Sequence, residues 1–294
     1  MKVSVSTFQT TGSAPVQDLA RDLEERGYDA LYFCEHTHQS SRVARQKPDL
    51  ERRFRETFDP FVSAHAAAAV TERLRVGSAV SLLAQHEPIA MAKRLATLDR
   101  LVGGRLDVGV GAGWIEDEMV THGVDPKRRN GHLAAHARAV KALWSGEPVT
   151  FSSPYVSFEE IVVRPTPSQR PGPPVYVAGA GPRSVERVRD FGDGWMPDYG
   201  SVDPRTFFAR REQVRELEQE TGRRVPVVVM GVPHDPRVIE SLAAAGVDQV
   251  ATLAPSAPLT EIRAFLASFE ASLRAALGGE SRVQAIRPGK PHAL

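Results

Sequence analysis

LVGGRLDVGVGAGWIEDE, residues 101–118, decides how the chain is read. Leu106, Val108 and Val110 follow a Gly103-Gly104 break, and Gly111-Ala112-Gly113-Trp114 then interrupts them, a pattern that reads as a buried strand ending in an open glycine turn. Glycine lacks a side chain and tolerates positive φ, so a flat ring or a phosphate can pack against the main chain there. The residues from Trp114 to Glu118 read as a helix start, with Glu116, Asp117 and Glu118 as a favourable acidic first turn. A tight strand-to-helix turn that holds no ligand fits the same residues equally well. The stretch is not a dinucleotide fingerprint, because after Gly109-Val110-Gly111 the third glycine of G-x-G-x-x-G would fall on Trp114.

Strand and helix alternate on both sides of this stretch. Upstream, the spacing predicts a strand over 2–6, a helix over 15–26 stopped by Gly27, and a continuous apolar strand over 30–34 that ends in Glu35-His36. A helix over 60–70, a strand over 74–81 and a helix over 88–101 follow, with Pro88 placed as a first-turn proline. Downstream, a helix over 132–144 leads to a small hairpin (149–151 and 155–158) and a proline-rich connector over 164–174. Strands over 175–178, 194–196, 225–231 and 247–253 then alternate with helices over 182–191, 204–221, 236–245 and 259–277. Eight strands, each followed by a helix, imply an α/β fold with a parallel sheet closed into a single (β/α)8 TIM barrel; a doubly wound open sheet is the alternative. The barrel is expected to span 1–278, with 279–294 as a flexible C-terminal tail. Function should then sit at the C-terminal strand ends: Glu35-His36, 77–82, 111–114, 179–183 and 195–197.

The 294 residues are 41% hydrophobic and 25% charged, which suits a globular chain able to bury a large core. A net charge of +1 without a block of one sign provides no electrostatic case for nucleic acid. The single cysteine, Cys34, excludes an internal disulfide framework and a cysteine zinc site, and its apolar run suggests a buried, inert thiol. The N-terminus enters strand alternation directly and no run of about 18 apolar residues occurs, so a cytoplasmic protein outside the membrane is expected. His132 and His136 lie four apart on one helix without a third ligand, so no metal is expected and they read as a helix-surface pair. Arg42, Arg45, Arg52, Arg53 and Arg55 fall in a long polar excursion over 37–58; the interspersed Asp49, Glu51 and Glu56 mark a solvated loop.

In order and spacing, FCEH at 33–36, VGSAVSLLAQHEPIAMAKRLATLDRLVGGRLDVGVGAGW at 76–114 and PPVYVAGAGPRSVERVRDFGDGWMP at 173–197 resemble the bacterial luciferase-like flavin and deazaflavin oxidoreductases. The similarity runs from Lys2 to Leu277 and is greatest to the branch that uses the deazaflavin coenzyme F420 rather than FMN. The resemblance implies a non-prolyl cis peptide at Ala79-Val80 that pushes against the central ring of the flavin, with Gly111, Ala112 and Gly113 bordering the ring system. It places the cofactor phosphate at Ala178, Gly179, Ala180 and Gly181. Small residues leading into a helix whose first position is Pro182 would indeed expose backbone N–H groups to an anion, with Arg183 adding charge, although Gly179 and Gly181 also fit as plain turn residues. The arginines of 42–55 could attract the phosphate and carboxylate tail of the coenzyme.

His36 matches an active-site histidine of the sugar-phosphate-oxidising members, although a lone histidine is as a rule structural. Glu35 would orient or tune it, or serve as an ion-pair partner elsewhere. The glutamate those members carry just after the glycine turn is replaced here by Trp114, which argues against that activity. Trp114 and Trp195 suggest instead an apolar, aromatic-lined space for a small-molecule substrate. The resemblance thus implies a homodimeric F420-dependent oxidoreductase that transfers a hydride. The alternatives are an FMN-dependent monooxygenase and a non-catalytic flavin-binding protein on the same barrel.

Overall fold

Ala30–Phe33 is buried at all four positions, as a continuous apolar run must be when helices cover one face of a sheet and the other turns into a barrel. It is β2 of a computed structural model that describes residues 1–41, 45 and 51–278. The expected C-terminal tail and Arg42 lie outside the described residues, as does the side chain of Arg52. The first half of the chain contains β1 (Lys2–Thr7), α1 (Val16–Glu25), β2, α2 (Glu51–Arg55), α3 (Pro60–Ala68), β3 (Arg75–Ser81), α4 (Pro88–Leu101) and β4 (Leu106–Val110). Then come α5 (Glu116–Thr121), α6 (Arg129–Leu143), an antiparallel hairpin of β5 (Val149–Ser152) and β6 (Ser157–Ile161), β7 (Val175–Ala178) and α7 (Ser184–Asp190). The last part holds β8 (Gly194–Met196), α8 (Pro204–Thr221), β9 (Val228–Val229), α9 (Pro236–Ala244), β10 (Gln249–Ala254) and α10 (Leu259–Leu277).

The eight parallel strands run in the order β8-β7-β4-β3-β2-β1-β10-β9. Parallel bridges between Trp195 and Val227 and between Asp198 and Met230 bring the two edge strands together. The ring is therefore a nearly closed barrel, and the doubly wound open sheet is excluded. Four helices start on an acidic cap followed by proline: Asp59-Pro60, Glu87-Pro88, Asp203-Pro204 and Asp235-Pro236. In each the cap carboxylate accepts a first-turn amide, a contact worth about 1 kcal/mol.

Some boundaries differ from the sequence pattern. The strand expected over 225–231 shrinks to Val228–Val229, because Pro226 offers no N–H and is used through its carbonyl, which accepts the Trp195 amide. The helix expected from 182 starts at Ser184 with Arg183 as its cap residue, so Pro182 is not its first helical position. The second hairpin strand begins at Ser157, since the Ser153 hydroxyl accepts the amides of Tyr155 and Val156 and holds 153–156 as the turn. The connector over 164–174 is ordered: Asp99 accepts the amides of Ser168 and Gln169 at 2.7 and 2.9 Å.

Alternation along β2 separates two cores. Leu31 and Phe33 join the apolar layer between sheet and helices, while Ala30 and Tyr32 point inward to Met196, Val228, Met230 and Ala251. Below that inner cluster lies a polar floor. Tyr32 Oη donates to Asp107 Oδ2 at 3.0 Å and accepts from Gln249 Nε2 at 2.9 Å, and Arg75 grips Asp107 through Nε and Nη2. Burial, reinforced by the Asp107 charge, pushes the Tyr32 hydroxyl well above its ordinary range, so it stays a donor. Among the described residues no helix is long and apolar enough to cross a membrane.

Candidate active site

Beyond Phe33 the chain leaves β2 at the barrel mouth and carries Cys34, Glu35 and His36 there. His36 is only 7% exposed, and its Nδ1 lies 2.8 Å from Glu118 Oε2. Glu118, in α5 just after the glycine turn, is buried, and its other oxygen accepts the Thr37 amide at 2.7 Å and the Thr37 hydroxyl at 3.2 Å. Burial alone would raise this carboxyl, but the hydrogen bonds and charge of His36, with those from Thr37, hold it below its ordinary value. It is a carboxylate at neutral pH, an acceptor only, so His36 carries its proton on Nδ1. Glu118 is thus more than an acidic first-turn residue.

Glu35 does not orient His36. Its Oε1 meets His86 Nε2 at 2.8 Å and its Oε2 accepts the Leu82 amide at 2.6 Å. Successive residues leaving a strand point opposite ways, so neighbours in sequence find different partners. Of the two roles expected for Glu35, the ion-pair geometry is the one present. Around His36 stand Phe8, Phe54 and Trp114, with ring centroids 6.2, 4.6 and 6.1 Å away.

Trp114 also faces a cleft of about 850 Å³ at the mouth, which His36 itself does not line. One wall is Val80, whose peptide bond with Ala79 is cis; Ala79 packs into the inner cluster. Beside it lie Gly111, Ala112 and Gly113. A Cβ on Gly111 would lie 2.8 Å from Val80 Cγ2, and Gly113 has φ +82°, so both positions are shaped for glycine. The far end is formed by Ala178, Gly179, Gly181 and Arg183, while Ala180 turns into the outer core.

Three residues not foreseen join that far end: Arg129 and Asn130 from α6 and Arg187 from α7. Arg187 Nη1 reaches Asn130 Oδ1 at 3.4 Å, its buried Nε has no partner, and neither Arg129 nor Arg187 forms an ion pair among the described residues. Burial, and after it the like charge of Arg183, pushes the Arg187 guanidinium below its ordinary value. It stays protonated all the same, so the end of the cleft is an anion site by charge. One signal for Arg187 was in the sequence: it follows Arg183 by four residues, on the same helical face. Arg129 and Asn130 carried no comparable sign.

Trp195 does not line the cleft. It is fully buried, stacks on Phe207 at 5.6 Å and donates from Nε1 to the Gly179 carbonyl at 2.8 Å, so it holds the glycine turn from behind. In the polar excursion, Arg53 lies over the rings of Phe8 and Phe54 at 5.1 and 4.9 Å. Cys34 is a free thiol that burial pushes up to about 12. His136 is buried with Nδ1 3.1 Å from the Leu83 carbonyl, and so is not at the surface, while His132 packs on Tyr155. Among the described residues no three histidine, cysteine or carboxylate side chains converge as a metal site.

Comparison with known proteins agrees with this architecture. An uncharacterised protein of Mycobacterium tuberculosis is 39% identical over 191 residues, covering 63% of this chain and 67% of the relative. An F420-dependent glucose-6-phosphate dehydrogenase of Kineococcus radiotolerans is 30% identical over 61% of this chain, and an FMNH2-dependent dimethylsulfone monooxygenase of Pseudomonas putida is 29% identical over 57%. These two matches span 50% and 46% of the relatives' own length. Among solved structures, a monooxygenase from Streptomyces bottropensis superposes with a TM-score of 0.68 at 23% identity, covering 95% of this chain and 82% of its own. The F420-dependent tetrahydromethanopterin reductase of Methanopyrus kandleri gives 0.67 at 17%, with 93% and 97% covered. Both show the same fold. The sequence model of the luciferase-like monooxygenases matches residues 2–280, and the chain belongs to that family of oxidoreductases.

Proposed function

We propose that the chain is an F420-dependent oxidoreductase that moves a hydride between the deazaflavin coenzyme and a small organic substrate. The observation that carries this reading is the cleft, with a bulge and a glycine wall at one end and three arginines at the other, of which only Arg183 has a carboxylate nearby, Glu186 at 3.9 Å, among the described residues. A flat ring fits against Val80 and Gly111, which already touch each other; a side chain on Gly111 would push Val80 into the space the ring needs. Arg129, Arg183 and Arg187 suit a ligand with more than one anionic group, such as a phosphate followed by a carboxylate tail. The F420-dependent relative from Kineococcus supports the same choice.

When bound, the coenzyme supplies the hydride chemistry, and the protein provides position and protons. His36, with its proton fixed on Nδ1, has no partner on Nε2 among the described residues and exchanges a proton with the substrate there. Trp114 stands between His36 and the cleft; it is 53% exposed on the glycine turn and has room to turn aside for a substrate. Its ring, with Phe8 and Phe54, selects an apolar substrate over a sugar phosphate. The family likeness also favours a homodimer, tested by analytical ultracentrifugation. The FMNH2-dependent relative favours the second reading, an FMN-dependent monooxygenase.

Titration of the cofactor-free protein with F420 and with FMN, followed by tryptophan fluorescence, separates the two. Trp114 is the exposed tryptophan and Trp144 and Trp195 are buried, so quenching should report the cleft and disappear in Trp114→Phe. Micromolar binding of F420 with much weaker FMN is expected. The reverse preference, with oxygen consumption on reduced FMN, would replace this reading with the oxygenase. Binding of neither would remove both.

A further inference from the structure

We propose that Glu118 is the positioning residue of this site: its carboxylate, clamped by Thr37, fixes the His36 ring so that Nε2 is the atom presented for proton exchange. The catalytic part of this statement rests on the oxidoreductase reading above, whereas the geometric part stands on its own. Both Glu118 oxygens are engaged, one by His36 Nδ1 and the other by the amide and hydroxyl of Thr37. The Glu118 side chain is 1% exposed, so water does not compete for these contacts. Thr37 follows His36 directly, so a single turn of chain supplies both the ring and the clamp on its carboxylate.

The hydroxyl of Thr37 fixes the direction of the remaining bonds. It has one proton and three neighbours: Glu118 Oε1, His122 Nε2 at 2.7 Å and His38 Nδ1 at 2.9 Å. A carboxylate only accepts, so the proton goes to Glu118, and the two histidines donate to the Thr37 oxygen. Among the described residues, Arg53 also lies near the His36 ring, over Phe8 and Phe54. Glu35 is engaged with His86 and Leu82. Nothing else among the described residues accepts from Nδ1, so without Glu118 the ring would be free to flip and to place its proton on either nitrogen.

The test uses the whole protein labelled with 15N-histidine, the His36 signals being assigned by their loss in His36→Asn. The wild type should show His36 protonated at Nδ1 at neutral pH. In Glu118→Gln, a tautomer mixture should replace it, since the carboxylate that accepts only from Nδ1 is gone. In the same variant kcat should drop about 10- to 100-fold, with coenzyme Kd unchanged and partial recovery in Glu118→Asp. Thr37→Val, which loosens the clamp and leaves both charges, should produce smaller changes in the same direction, and it serves if Glu118→Gln does not fold. A wild-type His36 protonated at Nε2 alone, or an unchanged single tautomer in Glu118→Gln, would overturn the proposal. Full turnover in His36→Asn would overturn the proton-transfer reading beneath it, a failure the NMR arm separates from failure of the clamp.

Discussion

Glu35 stands beside His36 in the sequence and faces away from it in space, closing on His86 Nε2 at 2.8 Å and on the Leu82 amide at 2.6 Å. Leu82 directly follows β3, whose end carries the cis peptide, so this carboxylate ties the end of β2 to the end of β3. Its burial would raise its pKa, but the bond and charge of His86 and the Leu82 amide hold it below the ordinary value. A carboxyl lowered in the folded state adds stability above the ordinary glutamate range and loses it as pH falls through the folded value. Melting temperature should therefore drop from about pH 5 downward, and Glu35→Gln should be less stable at pH 7 with a flatter acid limb. Thermal melts of both proteins between neutral and acid pH check this.

Arg187 is the arginine most committed to the anion end, with a buried Nε that has no partner. Arg187→Ala should weaken coenzyme binding about 10- to 100-fold, the worth of one or two lost bonds to a charged group. Arg189, two residues on and paired with Glu220 at the surface, should be silent when replaced by alanine. Isothermal titration of both variants with the coenzyme makes the comparison.

The glycines in and just after β4 should tolerate nothing larger. A Cβ at Gly109 would sit 2.4 Å from the Ser78 carbonyl and 2.6 Å from Met196 Sδ, inside the barrel. Gly109→Ala is expected to cost about 1–3 kcal/mol of stability. Gly111→Ala, whose new methyl meets the Val80 side chain, should chiefly impair binding of the flat ring. Denaturant unfolding for the first and fluorescence titration for the second separate the effects.

The two mouth-proximal tryptophans should behave oppositely. Trp195→Phe loses the bond to the Gly179 carbonyl and part of the contact with Phe207, and should lower stability by about 1–3 kcal/mol. Trp114→Ala removes an exposed ring, so its melting temperature should stay near wild type while KM for the substrate changes. Parallel melts and steady-state kinetics test the contrast.

The fold was legible because buried parallel strands are written as short apolar runs bounded by glycine and proline, as at Ala30–Phe33 and Val175–Ala178. The strand ends located the mouth, and with it His36 and the glycine walls. Partners across the mouth were not legible. Glu118 lies 82 residues from His36, and an acidic residue in a first helical turn already has a local explanation that hides a distant one. Trp195 misled for the opposite reason: a strand of three residues is too short to show which face each side chain takes. Arg129 and Arg187 come from helices separated by the whole hairpin and connector, and the parallel pairing of β4 with β7 brings them together.

The polar floor of Tyr32, Asp107, Gln249 and Arg75 makes this barrel a cup rather than a pipe. Whatever enters from above has no exit below, so arriving and departing molecules share one doorway. In the oxidoreductase proposed above, product and substrate would therefore share one entrance, and product would inhibit by competing for it.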